Sequence, residues 1–77
     1  MTVTWKDYCR GMRRLGYRME NKAGSVRNFV SAADPFPIQV HVPHNSKKRN
    51  VYPWNLKKTC KRLGMPAAQF IEFCRSA

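Results

Sequence analysis

Two histidines stand three residues apart in His41-Val42-Pro43-His44. Their side chains ordinarily change charge near neutral pH. Lys47, Lys48 and Arg49 follow at once. A base, an acid and a cluster of cations are all that RNA cleavage without a metal needs. The base takes the proton of a 2′-OH, the oxygen attacks the adjacent phosphorus, and cations hold the phosphate as charge builds. The same pair also fits a blander role, a surface strand residue and a loop residue that only contact phosphate, because spacing alone does not establish geometry.

Metal chemistry is disfavoured. A metal nuclease uses clustered carboxylates, and Asp7, Glu20, Asp34 and Glu72 are scattered along the chain. The histidines and the three cysteines lack zinc-ligand spacing. No metal or cofactor is expected.

Charge points to the partner. Fifteen Lys and Arg against four acids give a net charge of +11 over 77 residues. Between Pro35 and Ile71 there is no acid, while Lys47, Lys48, Arg49, Lys57, Lys58, Lys61 and Arg62 all fall there. Such an excess makes a compact state repel itself, and a polyanionic partner accounts for its retention. A nucleic acid is expected, with an anionic membrane surface the lesser competitor. No apolar stretch approaches spanning length and no signal-peptide pattern opens the sequence. Cys9, Cys60 and Cys74 form no C-x-x-C and fall on helical apolar stripes, which suits buried, reduced thiols in a cytoplasmic protein.

The elements that must position these residues follow from periodicity. Thr4-Trp5-Lys6-Asp7 has the form of a capping box, and Trp5, Tyr8, Met12 and Leu15 make a helical stripe that Gly16 ends. Strands are expected over Tyr17–Glu20 and Val26–Ser31, joined by a turn through Gly24. After a loop over Ala32–Pro37, Ile38, Val40 and Val42 alternate with Gln39 and His41 as a strand with one buried face. Pro43–Tyr52 reads as a polar, basic loop. Pro53 opens a second helix with the stripe Leu56, Cys60 and Leu63, stopped by Gly64 and Pro66. A short helix carries Ala67, Phe70, Ile71 and Cys74. The expected fold is a single α+β domain over 1–77, ordered α-β-β-β-α(-α), with a three-stranded antiparallel sheet and helices on one face. The open face then carries His41. Trp54 is expected to pack against the first helix rather than stack on a base.

This order, from about Tyr8 to Phe73, resembles the HicA family of bacterial toxins. The likeness rests on Leu15-Gly16-Tyr17 ending the first helix, Gly24-Ser25 opening the second strand, and Phe29 four residues after that serine. Val42-Pro43-His44 closing the third strand, Pro53 before the second helix, and Leu63-Gly64-Met65 with Phe70 downstream complete it. The resemblance implies a double-stranded-RNA-binding-domain-like fold. It also implies a metal-independent endoribonuclease that cleaves mRNA and arrests growth, neutralised by a HicB-like antitoxin. The family's motif is Gly-Ser-His, whose histidine is catalytic, whereas this chain reads Gly24-Ser25-Val26. Some relatives that lack that histidine carry a His-x-Pro-His segment, as His41-Val42-Pro43-His44 does here.

The catalytic candidates are therefore His41 and His44. The RNA-contact candidates are Ser25, Arg27, Lys47, Lys48, Arg49, Lys57, Lys58 and Lys61. A non-catalytic RNA-binding module of the same fold is the alternative. A DNA-binding regulator fits the charge but lacks a helix-turn-helix. If the second and third strands pair antiparallel, His41 can lie opposite or diagonal to Val26. Arg27 then points inward, an awkwardness that a bulge near Gly24 would relieve.

Overall fold

A computed structural model describes residues 2–21, 24–34 and 36–77; the side chains of Asn21 and Lys47 lie outside the description. The elements are α1 (Trp5–Arg14), β1 (Arg18–Asn21), β2 (Val26–Val30), β3 (Ile38–His41), a 3-10 turn (Ser46–Lys48), α2 (Pro53–Leu63) and α3 (Ala67–Ser76). This is an α+β fold ordered α-β-β-β-α-α.

Local chemistry sets the helix ends. Thr4 Oγ1 accepts the Asp7 amide hydrogen at 3.1 Å, which is half of the capping box. The Asp7 carboxylate turns instead to Arg10, also at 3.1 Å. At the far end Gly16 takes φ +94°. Tyr17 N–H then reaches Met12 O and Gly16 N–H reaches Arg13 O, both at 3.0 Å, which is the paired closure of a Schellman motif. Gly64 repeats the arrangement with φ +66°, Met65 N–H bonding Cys60 O and Gly64 N–H bonding Lys61 O.

The sheet runs in the order β1-β2-β3, antiparallel throughout. Phe29 pairs with Ile38 and Arg27 with Val40 on the helix-covered face; Val26 pairs with His41 and Asn28 with Gln39 on the other. The pairing is unbroken from Val26 to Phe29, so no bulge interrupts it. Arg27 does start toward the covered face, at the very end of the sheet. Its guanidinium curls back to Gly24 O at 2.9 Å and Val26 O at 3.0 Å, so no charge is buried.

Tyr8 is the centre of the core. Its ring stacks on Trp5 and meets Phe29 and Phe70 edge-on, with centroids 5.4 to 5.9 Å away. Its hydroxyl pairs with Thr59 Oγ1 at 2.8 Å, and burial pushes the phenol's pKa well above its ordinary value. Met12, Ile38, Val40, Val51 and Cys74 fill the space around it. Cys60 and Cys74 are buried and Cys9 half-buried; all three thiols are free.

The segment expected as a plain polar loop, Pro43–Tyr52, is more ordered than that. Pro43 and Val51 are buried. Asn45 adopts a left-handed conformation (φ 56°) that turns the chain into the 3-10 turn. The segment then pairs with the N-terminal strand-like residues: Trp5 N–H bonds Arg49 O at 3.0 Å, and Val51 N–H bonds Val3 O at 2.8 Å.

Candidate nucleic-acid interface

Helix α2 secures the outer edge of β3. Asn55 Nδ2 donates to His41 O at 2.9 Å, Lys58 Nζ to Gln39 O at 2.8 Å, and Arg62 to Pro37 O at 3.3 Å. Residues one helical turn apart thus meet alternate carbonyls of one strand edge, which leaves that edge closed to other chains. Arg62 also donates to Phe36 O and to Asp34 Oδ2, both at 2.7 Å. The Phe36 amide hydrogen and then Arg62 hold the Asp34 carboxyl below its ordinary pKa. Two of the seven cations in the acid-free stretch, Lys58 and Arg62, therefore brace the fold.

The strand end that α2 holds carries His41. The side chain is exposed on the open face, directly across from Val26. Val42 N–H donates to Ser25 O at 2.8 Å. In an antiparallel ladder hydrogen-bonded and non-hydrogen-bonded pairs alternate, so Val26–His41 is of the close, non-bonded kind. Their Cβ atoms then lie about 4.5–5.5 Å apart.

Beyond that pair, Gly24 and Ser25 ahead of β2 and the loop after β3 flank an open hollow of about 680 Å³. Ser25, Arg27, His44, Ser46 and Lys48 line it, and among the described residues no acidic one does. Four candidates separated by up to 23 positions, Ser25, Arg27, His44 and Lys48, thus share one concave surface. His41 does not line it. A second hollow, about 540 Å³, has His44 on its wall together with Arg49 and Tyr52. Pro43 and His44 line both hollows. The His44 amide hydrogen is donated to Tyr52 Oη at 3.3 Å.

The remaining candidates stand elsewhere. Lys57 and Lys61 are exposed one turn apart on α2 and line neither hollow. Lys58 is exposed but its ammonium is engaged at Gln39 O. The side chain of Lys47 lies outside the described residues. Trp54 corrects an expectation: it does not pack on α1 but stacks on Tyr52 and is 57% exposed. The signal was present in the sequence. Trp54 is about 200° around the helix from Leu56, opposite the stripe that α2 buries. A third cationic patch was also missed. Lys6, Arg10 and Arg13 of α1 line a hollow with Ser46.

Among the described residues no group of three or more His, Cys, Asp or Glu side chains is placed to hold a metal ion. No helix of the described residues is long and apolar enough to cross a membrane. No family model matches the chain, and neither a curated protein nor a solved structure matches it.

Proposed function

We propose that this protein is a HicA-like toxin: a metal-independent endoribonuclease that acts on mRNA in the cytoplasm, built on a double-stranded-RNA-binding-domain-like fold. The observation that carries the reading is the hollow shared by Ser25, Arg27, His44 and Lys48, set beside the Val26–His41 pair. A concave, cationic surface lined by His44, with His41 on the neighbouring strand pair, suits a phosphodiester undergoing attack.

In this reading His41 takes the proton of a 2′-OH, and the 2′-oxygen attacks the adjacent phosphorus. The bond to the 5′-oxygen breaks as that oxygen accepts a proton from His44, leaving a 2′,3′-cyclic phosphate and a 5′-OH. Arg27 and Lys48 balance the charge that gathers on the phosphoryl oxygens. A HicB-like antitoxin of acidic character neutralises the protein by covering this face.

A second reading is a non-catalytic RNA-binding module, favoured by Val26 where the HicA pattern has histidine and by the position of His41 outside the hollow. Incubating the purified protein with RNA in chelator separates the two. The toxin reading expects chelator-resistant fragments with cyclic-phosphate ends, blocked by the partner, and growth arrest when the chain is expressed alone. Salt-sensitive binding without cleavage would leave the binding module.

A further inference from the structure

Two aromatic rings stand at the start of α2 outside the core. Tyr52 is the N-cap residue of the helix and Trp54 follows two positions later. Their ring centroids are 4.5 Å apart and their planes within 12° of parallel. Trp54 is 57% exposed, whereas Trp5, which packs in the core, is 9% exposed. Pro53 between them fixes the backbone, and the Tyr52 hydroxyl accepts the His44 amide hydrogen. The stack is therefore held in place before any ligand arrives, and it is fastened to the loop that carries His44.

We propose that the Tyr52–Trp54 stack is a subsite for one unpaired nucleobase of the RNA strand whose phosphates lie in the His44 hollows. The proposal rests on the RNA-binding reading above and narrows its substrate to single-stranded segments. Tyr52 covers one face of the indole, and a base added to the other face would extend the stack. Bases within a duplex already have both faces covered, so only a looped, bulged or unpaired terminal nucleotide can enter. The surroundings favour a polyanion over an apolar protein groove. Arg49 lines the hollow beside Tyr52, and the helix continues from Trp54 with exposed Lys57 and Lys61. These cations can carry the flanking phosphates while the ring carries the base.

The test is a binding measurement with 2′-O-methyl oligonucleotides, which lack the attacking hydroxyl, so catalysis does not enter. Three probes of equal length are compared: a single strand, its duplex, and a single strand abasic throughout. For the single strand, Trp54→Ala should weaken binding by about 5- to 150-fold, the range for loss of one stacked base. The slope of log affinity against log salt should not change, because no phosphate contact is lost. Trp54→Phe should retain most of the affinity. The abasic strand and the duplex should be insensitive to Trp54→Ala. Indole emission should be quenched by the single strand in the wild type but not in Trp54→Phe. A single strand that binds the wild type with a normal salt slope and binds Trp54→Ala equally well overturns the subsite and leaves RNA binding standing. Equal losses on the abasic strand, or loss of binding to a protein partner alone, also overturn it. A wild type that binds no probe overturns the RNA-binding reading itself.

Discussion

Val26 and His41 are directly opposed across β2 and β3 on the open face of the sheet. The position that a Gly-Ser-His motif would give to histidine is thus occupied by valine, and a histidine projects beside it from the next strand. Positions 26 and 41 are one side-chain spacing apart on the same face.

If His41 is the base, His41→Ala should lower RNA cleavage in chelator by about 10²- to 10⁴-fold, the usual contribution of a positioned general base. Folding should be unaffected, because the side chain is exposed. Adding Val26→His to that variant should return part of the rate, since the two positions face the same space. Cleavage at the wild-type rate by His41→Ala would falsify the assignment.

Binding to single-stranded RNA should weaken as salt rises, with each neutralised phosphate contributing about 0.7 to the log–log slope. Lys48 and Arg49 line separate hollows on either side of His44. Replacing both by Ala should flatten the slope by about 1.4 if each holds one phosphate. An unchanged slope removes this loop from the RNA path.

The Asp34–Arg62 contact ties the β2–β3 loop to the last turn of α2. The Phe36 amide hydrogen and Arg62 lower the Asp34 pKa in the folded protein below the ordinary 3.8. A carboxyl with a depressed folded pKa contributes stability that is fully present above its unfolded pKa. That stability is lost as pH falls through the folded value. Asp34→Asn should therefore melt below the wild type at neutral pH, and the two should converge in acid, once pH has fallen through the lowered Asp34 pKa of the folded protein. Melting curves that differ by a constant amount down to pH 2 would contradict this.

Helices α1 and α3 meet at Gly11, where an added Cβ would run into Cys74 Sγ. Gly11→Ala should destabilise the protein by about 1–3 kcal/mol, the range for overpacking, although alanine favours the helix by about 1 kcal/mol. Burial raises the thiol of Cys9 to about 11 and that of Cys74 to about 12. Since the thiolate is the reactive form, labelling at pH 8 should be slow at both and slower at Cys74. Gly11→Ala should speed the labelling of Cys74 by loosening the contact. Rapid labelling of both thiols in the native wild type would show that the α1–α3 packing is looser than described.

The order of elements, the helix stops and the two faces of β3 are legible in the amino-acid sequence. These follow from local causes: the glycines that turn the chain at Gly16 and Gly64, the proline that begins α2, and the strict alternation from Ile38 to His41. The net charge likewise needed no fold to read. Tertiary structure alone decided which cations are available and which brace the protein. Lys57 and Lys58 are neighbours of identical type, but the direction of α2 along β3 brings Lys58 to the Gln39 carbonyl and leaves Lys57 in solvent. It also decided that Ser25, Arg27, His44 and Lys48 share a hollow, because strand register and the Asn45 turn fold distant segments together. Periodicity describes one element at a time. The site lies where the ends of several elements meet, and only their packing sets that geometry.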